Sequence, residues 1–337
     1  MRKKSNKSDI KVVHSYSFKE MKKLVKKMPY PFDERLICLL KDENKLEQEY
    51  YYIENGKDYA FFILYKNKMN IFTFGKLKCF FNIKVIGYPC SLSNCGYVTN
   101  NEKFMFDYIR TISGAKLVLN VSNNILVDDM TVGETLPTCI LKIKYSSLDE
   151  YLLSLRSGYR RRINIAISNC KDIEIKEIVD DSIDIYDLYI NTYNKSNYKL
   201  EKLEKGFFEK VDAKKLVFLR DNKPIGFVLI KQDNKKLIFM LCGMDYHYDT
   251  VDLYYYMLLN IIKYAIDNKC ETIDFGQTSE ETKMKFGALL EKKYFYAHHT
   301  NPVLNYAVKL CKNVLEYKYD FPKYRVFRRN FSESITN

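Results

Sequence analysis

Residues 215–275 repeat strand patterns and turn residues in an order that few folds can accommodate. Three runs rich in β-branched and aromatic residues cover 215–220, 225–231 and 237–242, and Asp-Asn-Lys triplets at 221–223 and 233–235 separate them. Asp and Asn favour tight turns because their side chains bond to the nearby backbone and tolerate positive φ. A long apolar helix pattern at 251–267 and a strand pattern at 271–275 follow. We therefore predict a three-stranded meander covered by a buried helix.

The first half of the chain contains the same order of elements. Capping boxes, in which a Ser and a Glu three residues later satisfy backbone N–H groups reciprocally, begin at Ser17 and Ser147. The second box is predicted to open one long helix through residue 167. Between the boxes, strand patterns cover 50–53, 59–66, 69–74, 79–86 and 116–121, with a helix pattern at 103–112. The chain is therefore predicted to be α/β, with two related domains at 1–145 and 146–337.

Composition restricts the class of protein. The 337 residues are 47% hydrophobic, enough to bury a core, and no stretch approaches the ~18 uncharged apolar residues of a membrane span. No apolar run follows the basic N-terminus, so we expect neither a signal peptide nor a transmembrane segment and predict a cytoplasmic protein. The net charge of +13 favours an anionic partner such as RNA, nucleotide phosphates or acidic lipid.

The cysteines and histidines do not predict a metal site. The nine cysteines are scattered without a Cys-x-x-Cys pair, and the four histidines do not combine with them at metal-ligand spacing. We interpret the cysteines as reduced thiols, most of them buried, and expect no metal.

Four segments carry a resemblance to a known family. They are PIGFVLI at 224–230, LCGMDY at 241–246, the Tyr-rich helix that begins LYYYMLL at 253, and IDFGQTSEETKMKFGA at 273–288. Together they resemble the GNAT acyltransferase superfamily, and more closely its tandem branch, which includes the FemABX peptidoglycan aminoacyltransferases. The resemblance covers roughly residues 145–300, and before that it is topological.

The resemblance implies two tandem GNAT-like domains, each a mixed, mostly antiparallel sheet flanked by helices. Residues 1–145 would be a divergent domain that either binds the acceptor or only supports the second. Residues 146–337 would be the acyltransferase domain with a basic C-terminal tail.

One departure from the family bears on the donor. GNAT enzymes that use acetyl-CoA usually hold its pyrophosphate on a glycine-rich loop at a helix N-terminus. Residues 243–252 here contain one glycine and three aspartates, and carboxylates repel pyrophosphate. Acyl-CoA, acyl carrier protein and aminoacyl-tRNA therefore all remain open as the acyl donor, and no tightly bound cofactor is expected.

Acyl transfer to an amine sets the chemistry that the site must provide. An alkylamine with a pKa of ~10.4 must lose a proton, and the carbonyl oxygen needs N–H donors. The resemblance implies that the third and fourth strands diverge and that the backbone N–H groups of Cys242, Gly243 and Met244 receive the carbonyl. Asp245 is the first candidate for the base and His247 the second; alternatively, both lie in a solvated loop where carboxylates suit the helix dipole.

Tyrosines 254–256 are candidates for protonating the leaving group. They occupy successive positions of the apolar helix, and we favour Tyr255, on the apolar side, and Tyr256, on the polar stripe. The alternative for both is ordinary amphipathic packing, since the chain contains 29 tyrosines.

Two further groups are candidates for substrate binding. Gln277, Thr278 and Lys283 follow the last strand, at the edge where open α/β sheets place ligands, although Thr278 to Glu281 also reads as a capping box. Arg156 and Arg160 would share a helix face and contact phosphate, or else lie on a solvated surface. The tail at 318–329 mixes aromatic and basic residues, which suits RNA, a membrane surface or packing over the second domain.

Three functions are compatible with these patterns. The first is a GNAT-type N-acyltransferase that moves an acyl or aminoacyl group from an activated donor to a primary amine. The second is a FemABX-like aminoacyltransferase that takes its amino acid from tRNA and acts on a peptidoglycan precursor. The third is a non-catalytic, basic nucleic-acid-binding protein on the same fold. The expected partners are an amine acceptor and acyl carrier protein or tRNA, and the oligomeric state is open.

Overall fold

A computed structural model describes residues 10–26, 32–75, 78–90, 92–178 and 182–329. The chain divides into two compact units. Unit 1 contains the described residues of Met1–Cys90, Asn94–Thr135 and Lys293–Tyr317, and unit 2 those of Ser91–Ser93, Leu136–Lys292 and Lys318–Asn337. Unit 1 thus takes residues 293–317 from the second half of the chain. The sequential limits predicted from the sequence, 1–145 and 146–337, do not include that exchange.

Unit 1 is built on one mixed sheet. Its strands are β1 (Lys11–Ser15), β2 (Gln48–Asn55), β3 (Asp58–Asn70), β4 (Phe80–Ile86), β5 (Tyr97–Thr99), β6 (Ala115–Val121), the start of β7 (Thr131–Lys142) and most of β13 (Leu289–His299). Its helices are α1 (Phe18–Lys22), α2 (Glu34–Glu43), α3 (Glu102–Thr111), α10 (Pro302–Leu310) and α11 (Lys312–Leu315). The strand order is β1-β2-β3-β4-β6-β13, with β5 beside β3, and the β4–β6 pair is parallel.

The strands of unit 2 are ordered β7-β12-β11-β10-β9-β8 and are also mixed in direction. Its strands are the end of β7, β8 (Glu174–Ile178), β9 (Lys214–Arg220), β10 (Lys223–Asp233), β11 (Lys236–Met244), β12 (Thr272–Asp274) and the start of β13. Its helices are α4 (Leu148–Ser154), α5 (Ser157–Asn169), α6 (Tyr186–Lys195), α7 (Lys205–Lys210), α8 (Thr250–Asp267) and α9 (Glu280–Lys285). Only the β11–β12 pair is parallel among the registers of this sheet in the described residues.

The predicted meander and its covering helix are confirmed. Strands β9, β10 and β11 pair in sequence as antiparallel neighbours, and the turns between them place Asp221, Asn222 and Asn234 at φ 51°, 60° and 52°. Asn and Asp tolerate this left-handed conformation better than other side chains. Helix α8 buries ten of its residues, and most of them join the hydrophobic core of unit 2. The predicted fold class, mixed and mostly antiparallel sheets with helices, is therefore confirmed.

Three local predictions are wrong. Residues 69–74 do not form a separate strand, because β3 stays paired with β4 as far as Asn70 and a turn follows. The long helix from Ser147 breaks into α4 and α5, because Leu155 forms a β-bridge with Phe327 of the C-terminal tail. The capping box at Thr278 is absent, since α9 is capped by Ser279 without a side-chain bond.

The C-terminal tail packs on unit 2. Val326 is buried in the core, and its carbonyl accepts a 2.9 Å hydrogen bond from the backbone N–H of Arg156. Arg328 donates from its backbone to Ser154 and from Nε to the carbonyl of Leu155. Of the three roles considered for the tail, the described contacts support packing. Among the described residues, every helix is too short or too polar to cross a bilayer.

Candidate active site

Strands β11 and β12 of unit 2 are paired over only part of their neighbouring segments. They pair only from Lys236 to Ile238, because β12 ends at Asp274 while β11 continues along β10 to Met244. Leu229 on β10 lies opposite Leu241, and the next residue of β10 lies opposite Phe239, so β11 carries one extra residue as a β-bulge. The pairing of these two strands therefore ends at Ile238, in accordance with the predicted divergence. We call the region between residues 239–244 and residues 275–279, where the two segments are no longer paired, the wedge.

The direction of each backbone N–H on β11 follows from strand alternation. The N–H of Asp245 donates to Ile225 on β10 at 2.9 Å, so that of Gly243, two residues earlier, also faces β10. The N–H groups of Cys242 and Met244 then face the edge that β12 has left. Met244 donates to Oγ1 of Thr192 on α6 at 3.1 Å. Of the three predicted donors, Cys242 is therefore the one whose N–H faces the wedge.

Lys283 is buried beside the wedge. Its side chain is 2% exposed, and Nζ donates to the carbonyls of Gln277 at 2.7 Å and Gly276 at 3.3 Å. Burial lowers the pKa of Lys283, because the ammonium has lost its hydration. Burial likewise raises the pKa of Cys242 to about 11 and that of Cys139 to about 12, and the charge of Lys283 partly offsets both shifts.

Tyr254 is the tyrosine of α8 that lies near this cluster, whereas the sequence analysis favoured its neighbours Tyr255 and Tyr256. Desolvation raises its pKa well above 10, with Cys242 adding to the shift and a hydrogen bond with Ser279 opposing it. The hydroxyl therefore stays protonated at neutral pH. The sequence contains no signal for this choice, because consecutive helical residues differ by 100° and only packing on the sheet fixes which one faces the wedge.

The two tyrosines predicted from sequence face other elements. The ring of Tyr255 packs 5.1 Å from that of Phe286, with the guanidinium of Arg162 at 4.1 Å on it. The ring of Tyr256 lies edge-on to Phe218 at 6.0 Å. Both rings belong to the packing of α8 in the described structure, and their catalytic roles stay predictions.

Asp245 and His247 form a turn at the end of β11. Oδ1 of Asp245 accepts from the backbone N–H of His247 at 3.0 Å and lies 2.6 Å from its Nδ1. The backbone hydrogen bond is the main reason that the pKa of Asp245 is lowered. The side chain of His247 is 93% exposed. This geometry is that of a solvated Asx turn, and the proposed base role of either residue stays a prediction.

The loop between β12 and α9 is held in an unusual conformation. Gly276, Thr278 and Ser279 have φ values of 69°, 62° and 50°. Positive φ suits glycine but strains a β-branched threonine by about 1–3 kcal/mol. Nε2 of Gln277 donates to the carbonyl of Leu136 at 2.6 Å, which directs this side chain toward β7.

Asp274 anchors that loop. Its buried carboxylate accepts from the N–H of Gly276 at 3.0 Å, from Thr138 at 2.7 Å and from Ser93 at 3.1 Å, and it pairs with Lys236 at 2.9 Å. Burial by itself would raise the pKa of Asp274, but Lys236 and the hydrogen bonds outweigh burial and lower it. The carboxylate therefore stays ionised and fixes the start of the loop.

The arginines predicted to bind phosphate lie at the start of α5. Arg156 precedes the first turn of α5 as its N-cap, and its Nε donates to the carbonyl of Phe327 at 3.2 Å. Arg160 lies inside α5, where its N–H bonds to the carbonyl of Arg156. Substrate binding by these arginines stays a prediction.

The N-terminus of α8 is capped by the chain itself. Asp249 accepts from the N–H groups of Val251 and Asp252 at 3.0 and 3.3 Å. Asp252 in turn pairs with Arg162 at 2.6 Å. Two of the N–H donors that a helix N-terminus offers to an anion are therefore already engaged by a carboxylate, in accordance with the departure seen in the sequence.

The family comparison matches the second half of the chain. Residues 155–284 match the family model described as "Acetyltransferase (GNAT) domain". No curated protein sequence matches the chain.

Three solved structures share the fold at low identity. FemX is 13% identical with a TM-score of 0.50, over 89% of this chain and all of the other. L-PGS from Bacillus licheniformis is 10% identical with a TM-score of 0.50, over 86% and 98%. A tandem GNAT protein from the clavulanic acid biosynthesis pathway is 7% identical with a TM-score of 0.50, over 87% and 99%. At such identities the likeness shows the fold alone. Residues 155–284 thus match the GNAT acetyltransferase family, and the chain has a fold similar to those of FemX and of the tandem GNAT protein from the clavulanic acid pathway.

Proposed function

We propose that the wedge of unit 2 is the active site of an N-acyltransferase that transfers an acyl or aminoacyl group from an activated donor to a primary amine. The single observation that carries this proposal is the divergence of β11 from β12 after Ile238, which leaves the N–H of Cys242 unpaired by the sheet. The GNAT family match supports acyl transfer as the reaction class.

The backbone of β11 activates the carbonyl of the acyl donor. A donor carbonyl placed in the wedge accepts a hydrogen bond from the N–H of Cys242, which stabilises the negative charge on oxygen as the amine attacks. Lys283 contributes in a second way. Its ammonium holds the carbonyls of Gly276 and Gln277 in place, so the loop opposite Cys242 keeps one conformation.

Leaving-group protonation falls to Tyr254. Its raised pKa keeps the hydroxyl protonated at neutral pH. As the bond between the acyl carbon and the donor breaks, the departing oxygen or sulfur takes this proton, and the proton that the acceptor nitrogen loses returns to the tyrosinate, so Tyr254 ends the cycle protonated. A positioned acid typically contributes about 10²–10⁴-fold.

The donor is proposed to be an aminoacyl-tRNA or an acyl carrier protein rather than acyl-CoA. Support comes from Asp249, whose carboxylate already accepts hydrogen bonds from two N–H groups at the N-terminus of α8. The FemABX-like version, in which tRNA supplies an amino acid to a cell-wall precursor, is compatible with the same observation.

The test is a donor panel. Purified protein is incubated with acetyl-CoA, an acylated carrier protein or charged tRNA, each with a mixture of primary amines, and amide products are measured by mass spectrometry. Product should form with carrier protein or tRNA, and its rate should fall at least tenfold in Tyr254→Phe but not in Tyr256→Phe. Equal rates in the two variants would remove Tyr254 from the mechanism, and no product with any donor would contradict the proposed function.

A further inference from the structure

Two adjacent glutamates at the start of α9 have opposite environments. Glu281 is exposed, and its Oε1 accepts from Tyr324 at 2.7 Å and pairs with Lys285 at 2.9 Å. Glu280 is 5% exposed, and its Oε1 has no hydrogen-bond partner among the described residues. A buried carboxylate oxygen without a donor is unfavourable and rare in folded proteins. The burial of Glu280 without a partner for Oε1 therefore requires an explanation, whereas the exposed and paired Glu281 requires none.

Glu280 belongs to the wedge cluster. It lies three residues before Lys283 on α9, so the two side chains share one face of the helix. Its charge acts on Lys283, Cys139 and Tyr254. The unpartnered oxygen is thus near the groups assigned above to acyl transfer.

The hydrogen-bond donor that Oε1 of Glu280 lacks is best supplied by a cation that carries N–H groups. An ionised carboxylate only accepts hydrogen bonds, and in a buried site it favours a charged donor. Lys283 does not fill this role, because its Nζ donates to two carbonyls and forms no ion pair with Glu280 in the described structure.

We infer that Oε1 of Glu280 forms a subsite for a primary ammonium group of a substrate. This inference rests on the proposed function, which supplies two sources of that group. One source is the amine of the acceptor, and the other is the α-ammonium of an aminoacyl donor. In either case one N–H of the ammonium donates to Oε1 and places the substrate beside Lys283 and Tyr254.

The experiment measures the binding of primary ammonium compounds and does not require acyl transfer. The full chain is labelled with ¹⁵N, and the backbone amide signals of residues 281–285 are followed at pH 7 during titration with propylammonium, which represents the acceptor, or alaninamide, which represents the aminoacyl donor. Tetramethylammonium, 1-propanol and N-acetylalaninamide are the controls, because each lacks either the charge or the N–H groups of a primary ammonium.

Saturable shifts should appear with propylammonium or alaninamide and not with the controls. The dissociation constant should rise at least about tenfold in Glu280→Gln and stay within twofold in Glu281→Gln, since one charged hydrogen bond is lost only in the first. Tighter binding of propylammonium assigns the subsite to the acceptor, and tighter binding of alaninamide assigns it to the donor. Equal responses in wild type and Glu280→Gln, equal responses to tetramethylammonium, or no saturable shift would each overturn the inference.

The unfolding temperature of Glu280→Gln tests the proposed subsite independently of binding. If Oε1 is reserved for a substrate, Glu280→Gln should unfold at the same temperature as wild type or higher, because the substitution removes a buried charge without breaking a described bond. A clear fall in unfolding temperature would show that Glu280 is structural and contradict the subsite. Binding without turnover on any donor would contradict the proposed function alone, and turnover unaffected by Glu280→Gln would contradict the subsite alone.

Discussion

Nζ of Lys283 donates a 2.7 Å hydrogen bond to the carbonyl of Gln277, although the lysine is almost completely buried. The bond spans the left-handed residues Thr278 and Ser279, so it ties the first turn of α9 back to the end of the preceding loop. A desolvated ammonium thereby stabilises a strained backbone next to the edge of β11 that β12 has left. The hydrogen bond from Lys283 to Gln277 thus stabilises the loop of the candidate site.

Relief of strain in that loop should stabilise the protein and slow the reaction. Thr278→Gly removes the unfavourable left-handed threonine at φ 62°, and we expect the free energy of unfolding to rise by about 0.5–1 kcal/mol. Acyl transfer should become slower, because a glycine holds the loop less firmly. Thr282→Gly, inside α9, is the matched control and should lower stability by a few tenths of a kcal/mol. Urea unfolding measures both, and a loss of stability in Thr278→Gly would contradict the assignment of strain.

The packing of the tail should be sensitive to one glycine. A Cβ on Gly287 would lie 2.2 Å from Cζ of Phe327, and its φ of 94° disfavours any side chain. Gly287→Ala should therefore destabilise the protein by about 2–3 kcal/mol. Gly158→Ala is the control, since that position in α5 has open space and alanine favours helix by about 0.5–1 kcal/mol. Thermal or urea unfolding measures the difference, and equal stabilities would show that the tail leaves Gly287 accessible.

Stability in unit 1 should depend on the protonation of Lys116. Burial lowers the pKa of Lys116 from 10.5 to about 8, while its Nζ donates to the carbonyls of Ile112 and Gly114 after α3. Between pH 8 and 10.5 the unfolded chain binds more protons than the folded one, so the stability contribution rises with pH across that window, by roughly 3 kcal/mol in all. Below pH 8 the full penalty of burying the charge is present.

Lys116→Met should flatten this pH dependence. The free energy of unfolding is measured by urea at pH 7, 8, 9 and 10, and the slope rather than the absolute value is compared, because the substitution also leaves carbonyls without their donor. Lys103→Met on the exposed face of α3 is the control and should keep the wild-type slope. The same slope in all three proteins would contradict the lowered pKa.

Much of the fold of unit 2 is readable from local sequence. Asp-Asn-Lys triplets set the two turns of the meander, because these side chains tolerate positive φ wherever they occur in a chain. The apolar pattern of α8 identifies a buried helix for the same reason, since its periodicity needs no information about distant residues. The resemblance at 273–288 then pointed to the loop that contains Gln277 and to the helix α9 that contains Lys283.

Other features depend on contacts between residues far apart in the sequence. The helix from Ser147 breaks at Leu155 because the tail, about 170 residues later, offers a competing β-bridge through Phe327. Residues 293–317 join unit 1 because β13 pairs with β6, a register that no local pattern specifies.

The sequence by itself determined the turns, the meander, the buried helix and the neighbourhood of the candidate site, because these follow from short-range preferences of the backbone and of apolar side chains. Only the tertiary structure decided that Tyr254 rather than Tyr255 or Tyr256 faces the wedge, and that Glu280 rather than Glu281 is buried. Adjacent residues on a helix differ by a rotation, and the rotation that is realised is set by how the whole helix packs against its sheet.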